Sequence, residues 1–156
     1  MEWTTELRYK RYEDWTEEEK KQIKENMAKS PWHTHYHVEP TSGLLNDPNG
    51  FSYFDGKWIL FYQNFPFGAA HGLKSWVQLE SDDLVHFNET GVKVFPDTPL
   101  DSHGAYSGSA MQFDDKLFLF YTGNVRDENW IRHPYQIGAL MDKEGKIEKI
   151  NKILID

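Results

Sequence analysis

The sequence predicts an all-β chain of about two β-propeller blades, preceded by a short N-terminal helix. Three observations carry this expectation. From Phe51 onward, short runs rich in aromatic and β-branched residues follow one another, separated by turn residues. Asp55-Gly56 falls between the first two runs, where Asp-Gly is a strong hairpin signal. The stretch Phe54-Asp55-Gly56-Lys57-Trp58-Ile59-Leu60-Phe61-Tyr62 recurs as Phe113-Asp114-Asp115-Lys116-Leu117-Phe118-Leu119-Phe120-Tyr121, at an offset of 59 (113 − 54). A repeat of this size, holding four strands, matches one propeller blade. Since propellers close with about four to eight blades, two units read as part of a longer protein. A two-sheet β-sandwich is the alternative fold.

The elements follow in order. Residues 1–35 form an N-terminal helical extension. Thr16 followed by Glu19 fits a capping box, Glu17 to Lys29 is rich in helix formers, and Ser30-Pro31 ends the pattern. Ile23 and Met27 give one short apolar stripe, so this helix is expected to lie on the outside of the fold as a packing appendage. Residues 36–156 are expected to be the first part of a propeller. Its strands are Phe51–Phe54, Lys57–Gln63, Ser75–Glu80 and Val92–Phe95, then Ser109–Phe113, Lys116–Thr122, Gln136–Met141 and Lys146–Ile150. Lys57 to Tyr62 is apolar on both faces of the pleat and should be covered on both sides.

Composition excludes several function classes. A net charge of −8 disfavours a nucleic-acid partner, because phosphate contacts need a basic face. The longest apolar run, Trp58 to Tyr62, is too short to span a membrane, and the first ten residues lack a secretory signal pattern. With no cysteine there is no disulfide framework, thiolate zinc site or cysteine nucleophile. We expect a cytoplasmic protein with neither membrane nor nucleic-acid partner and with no cofactor. His33, His35 and His37 alternate and would share one strand face, a spacing compatible with zinc. No cysteine or carboxylate is expected to complete such a site nearby, so turn histidines and no metal are expected.

Asn46-Asp47-Pro48-Asn49-Gly50 stands immediately before the first run. On propensity alone it is a turn. The repeat offset, however, places Asp47 opposite Tyr106, at the leading end of each blade's first strand, where propeller blades converge on the central axis. Gln63 and Ser107 are polar groups positioned to face the same funnel.

In this order the chain carries Leu45-Asn46-Asp47-Pro48-Asn49-Gly50, Phe61-Tyr62-Gln63, Ser81-Asp82-Asp83-Leu84-Val85-His86-Phe87, Tyr106-Ser107-Gly108-Ser109-Ala110 and Tyr121-Thr122-Gly123. Over about residues 30–156 these motifs resemble glycoside hydrolase family 32, the family of invertases and fructosidases. The resemblance implies a five-bladed propeller with a funnel site and a β-sandwich domain behind it. It implies Asp47 as nucleophile, with Asn46 and Gln63 hydrogen-bonding the fructosyl unit and Tyr106 and Ser107 beside them. His37 matches a histidine on the family's N-terminal approach. The implied reaction is retaining hydrolysis of the β-fructofuranosyl bond of a small sugar substrate, sucrose or sucrose 6-phosphate, which needs a nucleophilic carboxylate and a second carboxylic acid.

The departures are specific. The family's Arg-Asp-Pro and Glu-Cys motifs, the latter supplying the acid/base, would fall beyond Asp156. Arg126-Asp127 imitates the first but is followed by Glu128 and comes too early, so it is assigned to a surface loop. His71-Gly72 stands where the family carries Trp-Gly, and Val77-Gln78 replaces a Gly-His pair. Two other functions remain as alternatives: a non-catalytic fructoside-binding propeller module, or a related five-bladed arabinosidase or fructanase. Alone, the chain is expected to be inactive for want of the acid/base, and to self-associate, because Trp58, Phe61, Phe118 and Phe120 would lack full cover.

Overall fold

A computed structural model describes residues 2–156. Two four-stranded antiparallel sheets face each other. The first contains β1 (Leu44–Phe54), β2 (Lys57–Phe65), β3 (Ser75–Ser81) and β4 (Asn88–Val94), in that spatial order. The second contains β5 (Ala105–Phe113), β6 (Lys116–Arg126), β7 (Arg132–Met141) and β8 (Ile147–Ile155), again in sequence order. The strands are therefore two up-and-down meanders, as the repeat requires. Asp55 and Gly56 both take positive φ (47° and 81°), the signature of the tight turn that matches strand twist.

Several strand bounds need correction. β4 begins at Asn88 rather than Val92, β6 runs on to Arg126, β7 begins at Arg132 rather than Gln136, and β8 runs to Ile155 rather than Ile150. Two further shifts bear on the site. The first strand begins at Leu44 rather than Phe51, so Asn46–Gly50 lie inside β1 and are not a turn ahead of it. In the second sheet the first strand likewise starts earlier, at Ala105 rather than Ser109. Strand propensity fails at these points because each contains a β-bulge, where polar and turn-forming residues are favoured within a ladder.

The sheets meet across one apolar layer. Phe54, Ile59, Phe61, Trp76 and Val94 from the first sheet pack against Leu117, Leu119, Tyr121, Ile137, Ala139 and Met141 from the second. Phe61, expected to lack cover, is fully buried here. Trp58 instead stacks on Phe51 (5.5 Å, 4°) at the half-buried outer side. The opposite face of the second sheet is different: Met111 pairs with Phe118 there and remains 59% exposed.

The N-terminal extension contains α1 (Thr5–Arg8), a 3₁₀ turn (Tyr12–Asp14) and α2 (Glu17–Ala28). The capping box forms as expected: Thr16 Oγ1 accepts from the Glu19 amide (3.2 Å) and Glu19 Oε2 accepts from the Thr16 amide (2.7 Å). No residue of α2 is fully buried. The segment ahead of it docks more firmly. Trp15 stacks on Phe67 (4.3 Å, 6°) in a cluster with Phe65, joined by Trp3, Leu7 and Tyr12. Arg8 Nε donates to the His71 carbonyl (2.5 Å), and the Leu73 amide donates to the Arg8 carbonyl (2.7 Å).

A buried polar latch holds the connection between the sheets. Asp101 is fully buried; its Oδ1 accepts from the Thr98 amide and hydroxyl (2.8 Å each), and its Oδ2 from Tyr121 (2.9 Å) and Lys149 (2.5 Å). Removing Asp101 leaves the buried Tyr121 hydroxyl and the Thr98 amide and hydroxyl without their acceptor, while Lys149 keeps Asp97 (2.6 Å) and the Phe95 carbonyl. Asp101→Ala should therefore lower stability by about 2–4 kcal/mol, read from urea unfolding midpoints. A loss below about 1 kcal/mol would show that these donors find other partners.

Candidate active site

The site is built by two bulges. In β1, Asn46 pairs with Gln63 and Pro48 with Tyr62, leaving Asp47 as the extra residue, at φ 21°. In β5, Tyr106 pairs with Thr122 and Gly108 with Tyr121, leaving Ser107 as the extra residue. The structural counterpart of Asp47 is thus Ser107, one residue beyond the Tyr106 that the sequence repeat indicates. A second bulge explains the slip: Asn49 pairs with Phe61 and Ser52 with Ile59, which adds a residue to β1 that β5 lacks. Gly50 sits in that bulge at φ 58°, and a Cβ there would come within 2.8 Å of the Phe61 ring.

The two bulges touch. Asp47 is exposed, and its Oδ2 accepts from Gln63 Nε2 (3.1 Å) and Ser107 Oγ (2.9 Å). Gln63 also donates to Ser107 Oγ, closing a triangle of three side chains. Asp47 Oδ1 has no hydrogen-bond partner among the described residues. Asn49 Nδ2 donates to the Asp47 carbonyl (3.0 Å) and steadies the bulge from beneath.

Of the residues singled out by sequence, Asn46, Asp47, Gln63 and Ser107 gather here. Tyr106 joins through its backbone, its carbonyl accepting from Trp76 Nε1 (3.1 Å). The Tyr106 ring lies 5.0 Å from the Arg132 guanidinium. Burial, with the Tyr9 phenol as a further contributor, raises the Tyr106 pKa. His37 does not join; it is exposed, with its ring against Tyr36. Nor do the three histidines converge. His33 pairs with Glu39 (2.9 Å), a carboxylate that the sequence reading left out, and with the Met27 carbonyl (3.1 Å). No group of three or more potential metal ligands gathers among the described residues. His71, standing where the family carries Trp, gives its carbonyl to Arg8.

Lys74 is the site residue that sequence reasoning missed. It is only 3% exposed, and its Nζ donates to Asn46 Oδ1. Burial pushes its pKa down to about 8, against the opposing pull of Asp47. One signal was available: Lys74 is the single charged residue in Gly72-Leu73-Lys74-Ser75-Trp76-Val77, a segment otherwise suited to the interior.

The fold and site together define part of a β-propeller whose inner strands present a carboxylate held by neutral donors. Residues 37–156 match the glycosyl hydrolases family 32 N-terminal domain, and the chain belongs to that family, whose N-terminal domain is a five-bladed propeller of which about two blades are spanned here. The Streptococcus mutans serotype c protein described as sucrose-6-phosphate hydrolase is 72% identical over 149 residues, covering 96% of this chain and 31% of that relative. The solved sucrose-6-phosphate hydrolase of Lactobacillus gasseri is 51% identical with a TM-score of 0.95, covering 99% of this chain and 32% of that one. A Bombyx mori GH32 beta-fructofuranosidase is 30% identical with a TM-score of 0.71, over 88% of this chain and 30% of that one. The chain thus spans about a third of the length of these relatives.

The buried lysine predicts a pH dependence. Its folded pKa lies below the free-lysine value near 10.4, so folding disfavours the charged form. That penalty is complete below about pH 8 and is relieved as pH rises from there toward 10.4. The stability of the wild type relative to Lys74→Met should therefore increase between pH 7 and 10, on the order of 3 kcal/mol in the limit. Urea midpoints of both proteins across that range check it, and a constant difference would contradict it.

Proposed function

We propose that the protein to which these residues belong is a retaining glycosidase that cleaves the β-fructofuranosyl bond of sucrose or sucrose 6-phosphate, with Asp47 as nucleophile. The single observation that carries this reading is the state of Asp47: exposed, oriented through Oδ2 by Gln63 and Ser107, and free at Oδ1 among the described residues. The names of the most similar relatives favour the phosphorylated sugar.

The residues divide the work as follows. Asp47 Oδ1 attacks the anomeric carbon of the fructosyl unit, and the bond from that carbon to the leaving oxygen breaks. A fructosyl–Asp47 ester forms and is then hydrolysed by water. Gln63 and Ser107 fix the carboxylate so that attack needs no reorganisation. Asn46, oriented by Lys74, offers its amide to the sugar hydroxyls, and Tyr106 forms the adjoining wall. Departure of the leaving oxygen requires a proton from a second carboxylic acid. No other Asp or Glu among the described residues hydrogen-bonds Asn46, Gln63, Lys74 or Ser107. On this reading residues 1–156 on their own would not turn over, the second acid being supplied from elsewhere in the protein.

In a full-length enzyme containing these residues, Asp47→Asn should reduce sucrose and sucrose 6-phosphate hydrolysis by several orders of magnitude without unfolding the chain. Gln63→Ala should lose less, with the loss shared between kcat and KM. Retention of more than about a tenth of the activity by Asp47→Asn would remove Asp47 from the role of nucleophile. A full-length protein that binds these sugars and cleaves neither would indicate a binding module instead.

The chain on its own should also associate. The Met111–Phe118 face of the second sheet and Leu154, 40% exposed, leave apolar surface that needs cover. Light scattering at micromolar concentration should give a mass above that of one chain, and a clean monomer of 18.4 kDa would count against this.

A further inference from the structure

The family match begins at residue 37, so Arg8 and Tyr12 lie outside it. Both nevertheless hold the short segment that leads into the candidate site. Arg8 grips the chain on either side of Gly72: its Nε donates to the His71 carbonyl (2.5 Å), and its own carbonyl accepts from the Leu73 amide (2.7 Å). The two backbones run so close that a Cβ on Gly72 would fall 2.5 Å from the Arg8 carbonyl oxygen. Tyr12 adds a third bond, its hydroxyl donating to the Leu73 carbonyl (3.1 Å). The Tyr12 ring is seated edge-on against Phe67 (5.1 Å) and Phe95 (5.7 Å), which fixes where that hydroxyl points.

The next residue is Lys74, where three parts of the fold meet. Its carbonyl accepts from the Ala105 amide (2.9 Å), at the start of β5 and two residues before Ser107. Its ammonium donates to Asn46 Oδ1, one residue before Asp47. Lys74 is 3% exposed and forms no salt bridge among the described residues. Burying an ammonium that has no carboxylate partner costs free energy, so Lys74 stays inside only while the backbone ahead of it is held. An amide whose oxygen is engaged by an ammonium does not flip. Asn46 Nδ2, which makes no hydrogen bond among the described residues, is then left as a fixed donor.

We infer that Arg8 and Tyr12 are positioning residues of the candidate site: they hold His71–Leu73 so that Lys74 remains buried against Asn46 and the Asn46 amide stays presented to the sugar. This rests on the fructosidase reading above. Neither side chain hydrogen-bonds Asn46, Asp47, Gln63 or Ser107; both act through the backbone of one segment. Loosening that segment lets Lys74 reach water and frees Asn46 to turn.

The test is a set of coupled substitutions in a full-length enzyme containing these residues. Tyr12→Phe keeps the ring and removes one hydrogen bond, and Arg8→Met removes another. Each should lower kcat/KM about tenfold on whichever of sucrose and sucrose 6-phosphate the wild type cleaves, with KM raised and the amount of folded enzyme unchanged. Arg8→Lys, which keeps a donor, should recover part of the loss. In a Lys74→Met background the same substitutions should cost less than about twofold, because the group they position is gone. Full additivity in that background overturns the inference. So does a fall in kcat alone that tracks loss of folded protein, the mark of a merely structural role. Hydrogen exchange gives a readout independent of activity: backbone amides of residues 44–50 and 71–75 should exchange faster in Tyr12→Phe and Arg8→Met than in the wild type. If the wild type cleaves neither sugar, the fructosidase reading falls, and exchange decides the positioning role by itself. Faster exchange at residues 44–50 upholds it, and unchanged exchange there removes it.

Discussion

The geometry of the site depends on how the indole of Trp76 is held. Trp76 is fully buried between the sheets, 5.4 Å from Phe61 on its own sheet and 5.6 Å from Tyr121 on the other. Its Nε1 donates to the carbonyl of Tyr106, the residue immediately before the bulge in β5. One side chain thus ties the hydrophobic layer to the polar rim. Close packing makes the layer nearly incompressible, so the distance from Asp47 to Ser107 is inherited from aromatic packing. The hydrogen bond between those two residues spans 60 positions of sequence, and a core that shifted by an ångström would break it.

The bulges convert that packing into chemistry. A regular strand alternates its side chains between the two faces, which would leave Asn46, Asp47 and Pro48 on alternating faces of the sheet. An extra residue in the ladder re-aims the chain locally, so Asp47 escapes the alternation and meets the extra residue of the neighbouring sheet. The N-terminal segment packs against the loops beside the site. Tyr9 packs edge-on to Trp130 (5.1 Å) and near His103 (5.8 Å), while Arg8 and Arg11 bind the loops on either side. The part of the extension ahead of α2 is therefore docked into the fold, whereas α2 has no fully buried residue.

Much of this was legible in the sequence, for identifiable reasons. The aromatic and β-branched runs Lys57–Gln63 and Lys116–Thr122 and the Asp55-Gly56 turn report local physics, and the structure follows them. The motif residues Asn46, Asp47, Gln63 and Ser107 gather because the repeat put both bulges at corresponding places. The pairing of Asp47 with Ser107 rather than Tyr106 was not legible, since an offset counted from the hairpins cannot register the extra residue near Gly50. Strand starts at Leu44 and Ala105 were missed because bulge residues carry turn propensities. Lys74 was missed because a lone lysine ordinarily signals an exposed position. Its 3% exposure and its contact with Asn46 show that it is interior.

Charge placement around Asp47 has its own logic. A carboxylate locked in a direct ion pair with arginine would be well oriented but poor as a nucleophile, because the cation stabilises the charge that must be donated. Here the groups touching Asp47 Oδ2 are an amide and a hydroxyl, which orient it without neutralising it. The nearest cation, Lys74, acts one residue away through Asn46, and the arginines stand further out around Tyr106. Neutral donors hold the Asp47 carboxylate, and positive charge is kept apart from it. In a chain of net charge −8 that arrangement does not arise from average composition. It requires Asp127, the carboxylate lying between Arg126 and Arg132, to be consumed by its own turn and by His133. The same separation explains why these arginines bond to carbonyl and amide oxygens: such acceptors fix a guanidinium in place and leave its charge unspent.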